Sequence, residues 1–287
     1  MNWQQAVVAA LRATPASARW SRIGGASHVA AWSLATPGAR YFVKVVSPAH
    51  ADMLAAEVEG LHAIERTGAI RVPSVVQQGE AGDAAFVALE WLDLVDGGRD
   101  AALGIALAKL HATTAQRFGW HRDNTIGPTP QANGWCDAWP AFFRDRRLAP
   151  QFALAACNGY TELAGRGEPL LACVPALLSG HRVVASLLHG DLWSGNAGRL
   201  ADGTPVVFDP SCHFGDREAD LAMTELFGGF APAFYAAYAE ASPLDAGYPL
   251  RRTLYNLYHV VNHLNLFGRA YLAQATGMVD ELLAAAG

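Results

Sequence analysis

The run LLHGDLWSGN, Leu187 to Asn196, ends an apolar stretch in His-Gly-Asp and sets an asparagine five residues beyond the aspartate. Beside Gly190 and Gly195, these polar residues make either a surface turn or a base and a metal ligand on one loop. Asp191 is placed to accept a proton from an attacking hydroxyl. Asn196 offers an amide oxygen, a hard donor suited to Mg²⁺. Thirteen residues further on, VVFD brings a second carboxylate, Asp209, to the end of a short apolar run. His189 reads as a structural brace of the loop.

Upstream, Lys44 is the centre of YFVKVV. A lysine flanked by apolar strand residues either sits on the solvent face of an edge strand or points into a cleft to hold phosphates. In the helical segment that follows, Leu54, Val58, Leu61 and Ile64 form an apolar stripe. At about 100° per residue Glu57 falls on that stripe and Glu59 on the opposite face, so Glu57 is the partner expected for Lys44. Gly24 and Gly25, with Ser27 after them, either bring backbone N–H groups up to phosphates or make a simple turn. They do not complete a GxGxxG pattern.

The chain has 287 residues, 52% hydrophobic and only 16% charged, which is enough for one large domain or two lobes and shows little sign of disorder. A net charge of -5 argues against a nucleic-acid partner, without excluding a phosphorylated ligand that a few local cations would hold. Cys136, Cys157, Cys173 and Cys212 show no CxxC pair, so they read as reduced thiols rather than a disulfide frame or zinc site. The first residues lack the basic start and long apolar run of a signal peptide, and no apolar segment reaches the length of a membrane span. The expected setting is cytoplasmic.

Along the chain, residues 3–13 read as a helix. SHVAAWSLAT and ARYFVKVV read as a hairpin closed by Pro37-Gly38, residues 48–67 as a helix, and DAAFVALEWL as a strand. Beyond Asp96-Gly97-Gly98 the pattern turns helical, with helices expected near 100–114, 137–147, 167–178, 218–240 and 250–285. The outline is α+β: a small β-rich N-terminal lobe (1–92), a hinge near 91–98, and a larger, mainly helical C-terminal lobe (93–287). The cleft between them is the expected ligand site.

The order Lys44, Glu57, Asp191, Asn196, Asp209 is the kinase layout, in which a catalytic-loop Asp and Asn precede a metal-binding Asp. Gly190 stands where a protein kinase has Arg, Pro210-Ser211 replace Phe-Gly, and no Ala-Pro-Glu follows. These departures favour a small-molecule phosphotransferase of the same bilobal fold.

HGDLWSGN, FDPSCHFGDREADLAMTELFGGF, FGWHRDNTIGPTPQANGWCDAW and NLYHVVNHLNLFG, with YFVKV and AAEVEGLHAI, make the chain resemble the fructosamine kinase (ketosamine-3-kinase) family over nearly its whole length. That family is related to aminoglycoside phosphotransferases and choline kinases. The resemblance implies a protein-kinase-like fold and transfer of the ATP γ-phosphate to the 3-hydroxyl of a ketosamine, a sugar carried on an amine such as a glycated lysine. The 3-phosphate makes the adduct labile and frees the amine.

By resemblance, Asp191 is the base, Asn196 and Asp209 hold magnesium, and Lys44 with Glu57 positions phosphates. The hinge backbone of Glu90, Trp91 and Leu92 meets adenine. Trp193 offers the sugar an apolar face, unless it is a core residue. Asp220 accepts N–H bonds from the catalytic loop, and Asp216 is a substrate-side group or part of a charge network with Arg217 and Glu218. The Gly24–Ser27 stretch is a loose match to the family's phosphate loop. His259 and His263, at i and i+4, lack the glutamate of HExxH and read as part of a polar network with Asn256, Asn262 and Asn265. An aminoglycoside- or choline-type acceptor, or a pseudokinase, are the other readings; the pseudokinase predicts loss of a catalytic part, and none is missing.

Overall fold

Five antiparallel strands build the N-terminal part of the molecule, preceded by helix α1 (Trp3–Ala10). They are β1 (Arg19–Ala26), β2 (Val29–Thr36), β3 (Ala39–Val46), β4 (Val75–Ala81) and β5 (Ala84–Glu90), in the spatial order β1-β2-β3-β5-β4. The computed structural model describes residues 2–26 and 28–287. Thr36 pairs with Ala39 across the Pro37-Gly38 turn, where Gly38 takes a positive φ of 84°, so the β2–β3 hairpin closes as its sequence suggests.

Helix α2 (Ala51–Thr67) is inserted between β3 and β4 and ends on Gly68 in the left-handed conformation. Side chains of a strand alternate between faces. Val43 and Val45 therefore pack with Val7 and Val8 of α1 under one side of the sheet. Val46, Ala85, Val87 and Leu89 pack on the other side with Leu54, Val58, Leu61 and Ile64 of α2. Lys44 belongs to this second face, on the central strand.

A short strand, β6 (Leu94–Val95), leads through Gly97 and Gly98 into α3 (Ala101–His111). Two small antiparallel units follow, β7 (Asn124–Ile126) with β8 (Thr129–Gln131), and later β9 (Ser186–Leu188) with β12 (His213–Gly215). Between them lie α4 (Trp139–Phe143), α5 (Ala149–Cys157) and α6 (Thr161–Leu177). Strands β10 (Ala197–Leu200) and β11 (Pro205–Val207) form a three-stranded sheet with β6, so the hinge is hydrogen-bonded to the segment between Asn196 and Asp209. The chain ends with α7 (Arg217–Leu226), α8 (Pro232–Ala241), α9 (Tyr248–Phe267) and α10 (Leu272–Ala286). One apolar core runs from α2 and β5 into α3, α7 and α8, and a second fills the space among α4, α5, α6, α9 and α10.

Several expected elements differ. Residues 218–240 form two helices because Gly228 and Gly229, both at positive φ, turn the chain between them. Residues 250–285 likewise divide at Gly268, at φ 87°. The 137–147 helix continues through a π-helical turn, Arg144–Leu148, into α5, which the sequence reading missed, and α6 begins earlier than expected. Strands β1 and β4 were also missed; exposed Arg19, Arg22, Gln77 and Gln78 break their apolar pattern. All four cysteines are free thiols. Among the described residues, no helix is long and apolar enough to cross a membrane.

Candidate active site

Strand β3 aims Lys44 at α2, where its Nζ donates to both carboxylate oxygens of Glu57, at 2.7 and 2.8 Å. The same ammonium donates to Asp209 Oδ1 at 2.7 Å. Burial pulls the Lys44 pKa down, but the carboxylates of Asp209 and Glu57 more than offset this and hold it above the ordinary lysine value. Glu59 points the other way, to Arg122 at 2.6 Å and His121 at 2.7 Å. Asp209 has a φ of 58°, the left-handed region that Asp tolerates better than most residues, and this turn directs its carboxylate back towards β3.

The loop after β9 holds Asp191 and Asn196 together. Asn196 Nδ2 donates to the backbone oxygen of Asp191 at 2.9 Å and to its Oδ2 at 3.1 Å. Burial first, and the charge of Asp209 second, push the Asp191 carboxyl up to about 7. A carboxylate poised near neutrality in a cleft is suited to proton transfer.

The loop is braced from behind. Asp220 on α7 accepts the N–H of His189 at 2.7 Å and of Gly190 at 2.9 Å, and its Oδ2 also accepts from His111 Nε2 at 3.2 Å. Although burial acts against it, these donors, His111 foremost, hold the Asp220 pKa below the ordinary value. Tyr238 completes the relay by donating to His111 Nδ1 at 2.8 Å. His189 donates through Nε2 to the Phe208 carbonyl at 3.0 Å, and its Nδ1 accepts the Asp191 N–H at 3.3 Å. The ring is fully buried, which pushes its pKa down and keeps it neutral. Gly190 has a φ of 83°, and a Cβ there would lie 2.1 Å from the Ser211 carbonyl oxygen, so only glycine lets the loop pass this close.

Three carboxylates, Glu57, Asp191 and Asp209, thus face one cation, Lys44. Asn196 uses its Nδ2 on Asp191 and Asp209 uses Oδ1 on Lys44, which leaves Asn196 Oδ1 and Asp209 Oδ2 as oxygen donors in a region of excess negative charge. That donor set fits a hard divalent cation.

Other sequence-derived positions stand further out. Gly24 and Gly25 pair with Ala31 and Ala30 at the tip of the β1–β2 hairpin, and a Cβ on Gly25 would strike the Val29 carbonyl. Ser27 lies outside the described residues. At the hinge, Glu90 turns its carboxylate to Arg71 and the Ser74 N–H, and its own N–H donates to the Ser74 carbonyl at 2.9 Å. The Trp91 ring is covered by the Arg40 guanidinium at 3.5 Å, and the Leu92 carbonyl accepts from the Leu94 N–H at 3.1 Å. Trp193 is 38% exposed on the loop that carries Asp191, where Arg99 also reaches the Ser194 carbonyl at 2.9 Å.

Asp216 calls for a correction. It is buried at the N-terminus of α7, caps the Glu218 N–H at 3.0 Å, and accepts from Tyr255 at 2.6 Å and His181 at 2.7 Å. Its oxygens are committed to the fold, so it braces α7 rather than meeting substrate. The polar network read on α9 is also only partial. Asn262 accepts from Thr129 and Gln151 and Asn265 donates to Gln151, whereas the Asn256 Oδ1 has no partner among the described residues. His263 Nδ1 instead bonds the His259 carbonyl, the helical contact expected at i and i+4.

The sequence reading passed over Phe227. Its ring meets Trp193 edge-on at 6.3 Å and His263 at 4.7 Å, and His263 touches Phe267 and Tyr271, so an aromatic wall extends from the Asp191 loop across α9. Phe227 follows α7 with no periodic pattern of its own, and only its two neighbouring glycines mark the turn.

Residues 2–285 match the family model described as fructosamine kinase. The chain is 45% identical over 250 residues to a probable ketoamine kinase of Synechocystis, covering 85% of this chain and 83% of that one. It is 37% identical over 266 residues to the chloroplastic protein-ribulosamine 3-kinase of Arabidopsis thaliana, covering 91% and 81%. Among solved structures, a candidate fructosamine-3-kinase from Haemophilus somnus superimposes with a TM-score of 0.88 over 97% of this chain and 96% of that one, at 26% identity.

Proposed function

Because the chain belongs to the fructosamine kinase family, we propose that it transfers the γ-phosphoryl group of ATP to the 3-hydroxyl of a ketosamine. Asp191 takes the hydroxyl proton as that oxygen attacks phosphorus. The new O–P bond forms as the bond to the β-phosphate oxygen breaks, and ADP departs. Lys44, steadied by Glu57, supplies positive charge to the phosphates. The Gly24–Gly25 turn covers them, and adenine meets the backbone of Glu90 to Leu92 between the lobes 1–92 and 93–287. Asn196 and Asp209 are the residues that would hold Mg²⁺, which when bound offsets phosphate charge. Trp193 offers an apolar face to the C–H surface of the sugar.

The observation that carries this reading is the meeting of five residues from distant parts of the chain. Lys44 touches Glu57 and Asp209, and Asn196 is hydrogen-bonded to Asp191, whose carboxyl is raised by burial first and the charge of Asp209 second. The relatives named for ketoamines and ribulosamines favour a ketosamine over choline or an aminoglycoside as the acceptor.

The test is ADP release with ATP and Mg²⁺ against ribulose-lysine, fructose-lysine, choline and an aminoglycoside. Turnover on a ketosamine that requires Mg²⁺ and disappears in Asp191→Asn supports the reading. Turnover only on choline or the aminoglycoside would overturn it.

A further inference from the structure

Helix α2 is held on two faces, and only one of them belongs to the site built around Lys44. Glu57 turns inward to Lys44 Nζ. Glu59, two residues on and about 200° round the helix, turns outward. There it accepts from Arg122 Nη1 at 2.6 Å, and His121 Nε2 lies 2.7 Å from its other oxygen. Arg122 Nη2 also reaches the Asp52 carboxylate and, at 3.3 Å, the Asp52 backbone oxygen. One guanidinium therefore spans two carboxylates set about two turns apart along α2. A single exposed ion pair contributes little, but a forked guanidinium shared between two carboxylates fixes a direction as well as a distance.

His121 and Arg122 belong to the segment between α3 and α4, and that segment is fastened to the chain that follows Asp209. Gly119 exchanges both backbone hydrogen bonds with Phe214, at 2.8 and 2.9 Å. Asn124 Nδ2 donates to the Cys212 carbonyl at 3.0 Å. The Ser211 hydroxyl donates to the Thr125 carbonyl at 2.6 Å and accepts from Gln131 Nε2 at 2.8 Å. Ser211 and Gln131 are both buried, where a hydrogen bond is costly to leave unmade. At Gly119, with φ 115°, a Cβ would lie 2.3 Å from the Asn133 carbonyl oxygen, so the backbone has no room to shift there. Residues 119–131 thus form a strap, anchored by buried bonds to the Asp209 side and by Arg122 and His121 to α2.

Both ends of the strap lead to Lys44. The helix it grips carries Glu57, and the segment it is fastened to begins just after Asp209; these are the two carboxylates that Lys44 Nζ bonds. Among the described residues the strap makes no recorded hydrogen bond to Glu57, Asp209 or Lys44 itself. Its influence on the three can only pass through where α2 lies relative to the Asp209 segment.

On the reading that the chain is a ketosamine kinase, we propose that Arg122 is a positioning residue for the nucleotide site. By tying Asp52 and Glu59 to the strap, it sets the placement of α2 and so the alignment in which Glu57 presents Lys44 to the phosphates. Removing it leaves Gly60 packed on Pro210 and Cys212, so the helix keeps its fold and loses its alignment.

The test is a double-mutant cycle of Arg122→Gln with Glu57→Gln, read by turnover of ribulose-lysine, by calorimetric titration with ATP and Mg²⁺, and by melting temperature. Arg122→Gln should raise the KM and the Kd for ATP about fivefold, the scale of one ion-pair network, and leave the KM for the ketosamine unchanged. Glu59→Gln should reproduce this effect. Arg122→Lys, which keeps the charge without the fork, should fall between wild type and Arg122→Gln. With Glu57→Gln already present, Arg122→Gln should weaken ATP binding no further, because the pair it aligns is gone, whereas the two losses in melting temperature should add. An ATP affinity unchanged in Arg122→Gln, or losses that multiply in the double variant, would overturn the proposal. Turnover of no ketosamine would remove the kinase reading, while the ATP titrations across the cycle would still decide the role of Arg122.

Discussion

Asp209 reaches across the interlobe cleft to within 2.7 Å of the Lys44 Nζ, joining the loop after β11 to the central strand of the N-terminal sheet. Lys44 is therefore the shared partner of two carboxylates from opposite sides of the site, and its removal has two separable effects.

Lys44→Met should abolish phosphate positioning and raise the KM for ATP, and it also leaves Glu57 buried without its cation. A buried charge stripped of its partner costs about 3 kcal/mol or more. Adding Glu57→Leu should recover most of that stability without restoring turnover. Urea denaturation beside ATP kinetics on the single and double variants checks both. Recovery of activity in the double variant would contradict the assignment of Lys44.

Asp191→Asn keeps the size of the side chain but removes the carboxylate we propose as the proton acceptor. Turnover should fall by roughly 10²- to 10⁴-fold while ATP binding and the melting temperature stay near wild type. Single-turnover phosphoryl transfer, run with equilibrium nucleotide binding, separates loss of chemistry from loss of fold.

Asp220→Ala would leave the N–H groups of His189 and Gly190, and the His111 ring, without their acceptor. A loss of about 2–4 kcal/mol is expected, with a lower kcat because the loop carrying Asp191 loosens. Hydrogen exchange should quicken at the His189 and Gly190 amides before it does so in α9.

Stability should peak near pH 6.5. Burial holds His213 and His259 at about 3, below their ordinary 6.5, so the unfolded chain binds more protons between these values and stability falls on acidification. His181 is shifted the other way, raised above 6.5 chiefly by its hydrogen bond to Asp216. Its contribution is complete below 6.5 and is lost as pH climbs through its folded value. Melting temperature followed from about pH 4 to 9 should fall on both sides, and His181→Gln should flatten only the alkaline side.

The pairing of Lys44 with Glu57 was legible because it depends on two periodicities, the alternation of β3 and the apolar stripe of α2, and both faces are buried as their patterns require. The closeness of Asp191 and Asn196 is likewise a property of one short loop. Asp216 was not legible: its burial depends on Tyr255 and His181, which arrive from distant helices. Phe227 and Asn256 acquire their surroundings only when α7, α9 and α10 pack. The breaks at Gly228-Gly229 and Gly268 were visible as residues, but periodicity on either side made longer helices equally consistent with the sequence.

Gly60 allows α2 to lie almost directly on the segment after Asp209: a Cβ there would stand 3.1 Å from Pro210 and 3.3 Å from the Cys212 sulfur. Many kinases regulate themselves by swinging the helix that bears the glutamate, making and breaking its pair with the lysine. Here the helix that bears Glu57 lies close against the segment after Asp209, and Cys212 Sγ donates to the Gly60 carbonyl at 3.7 Å. The Lys44–Glu57 pair is therefore already formed in this structure.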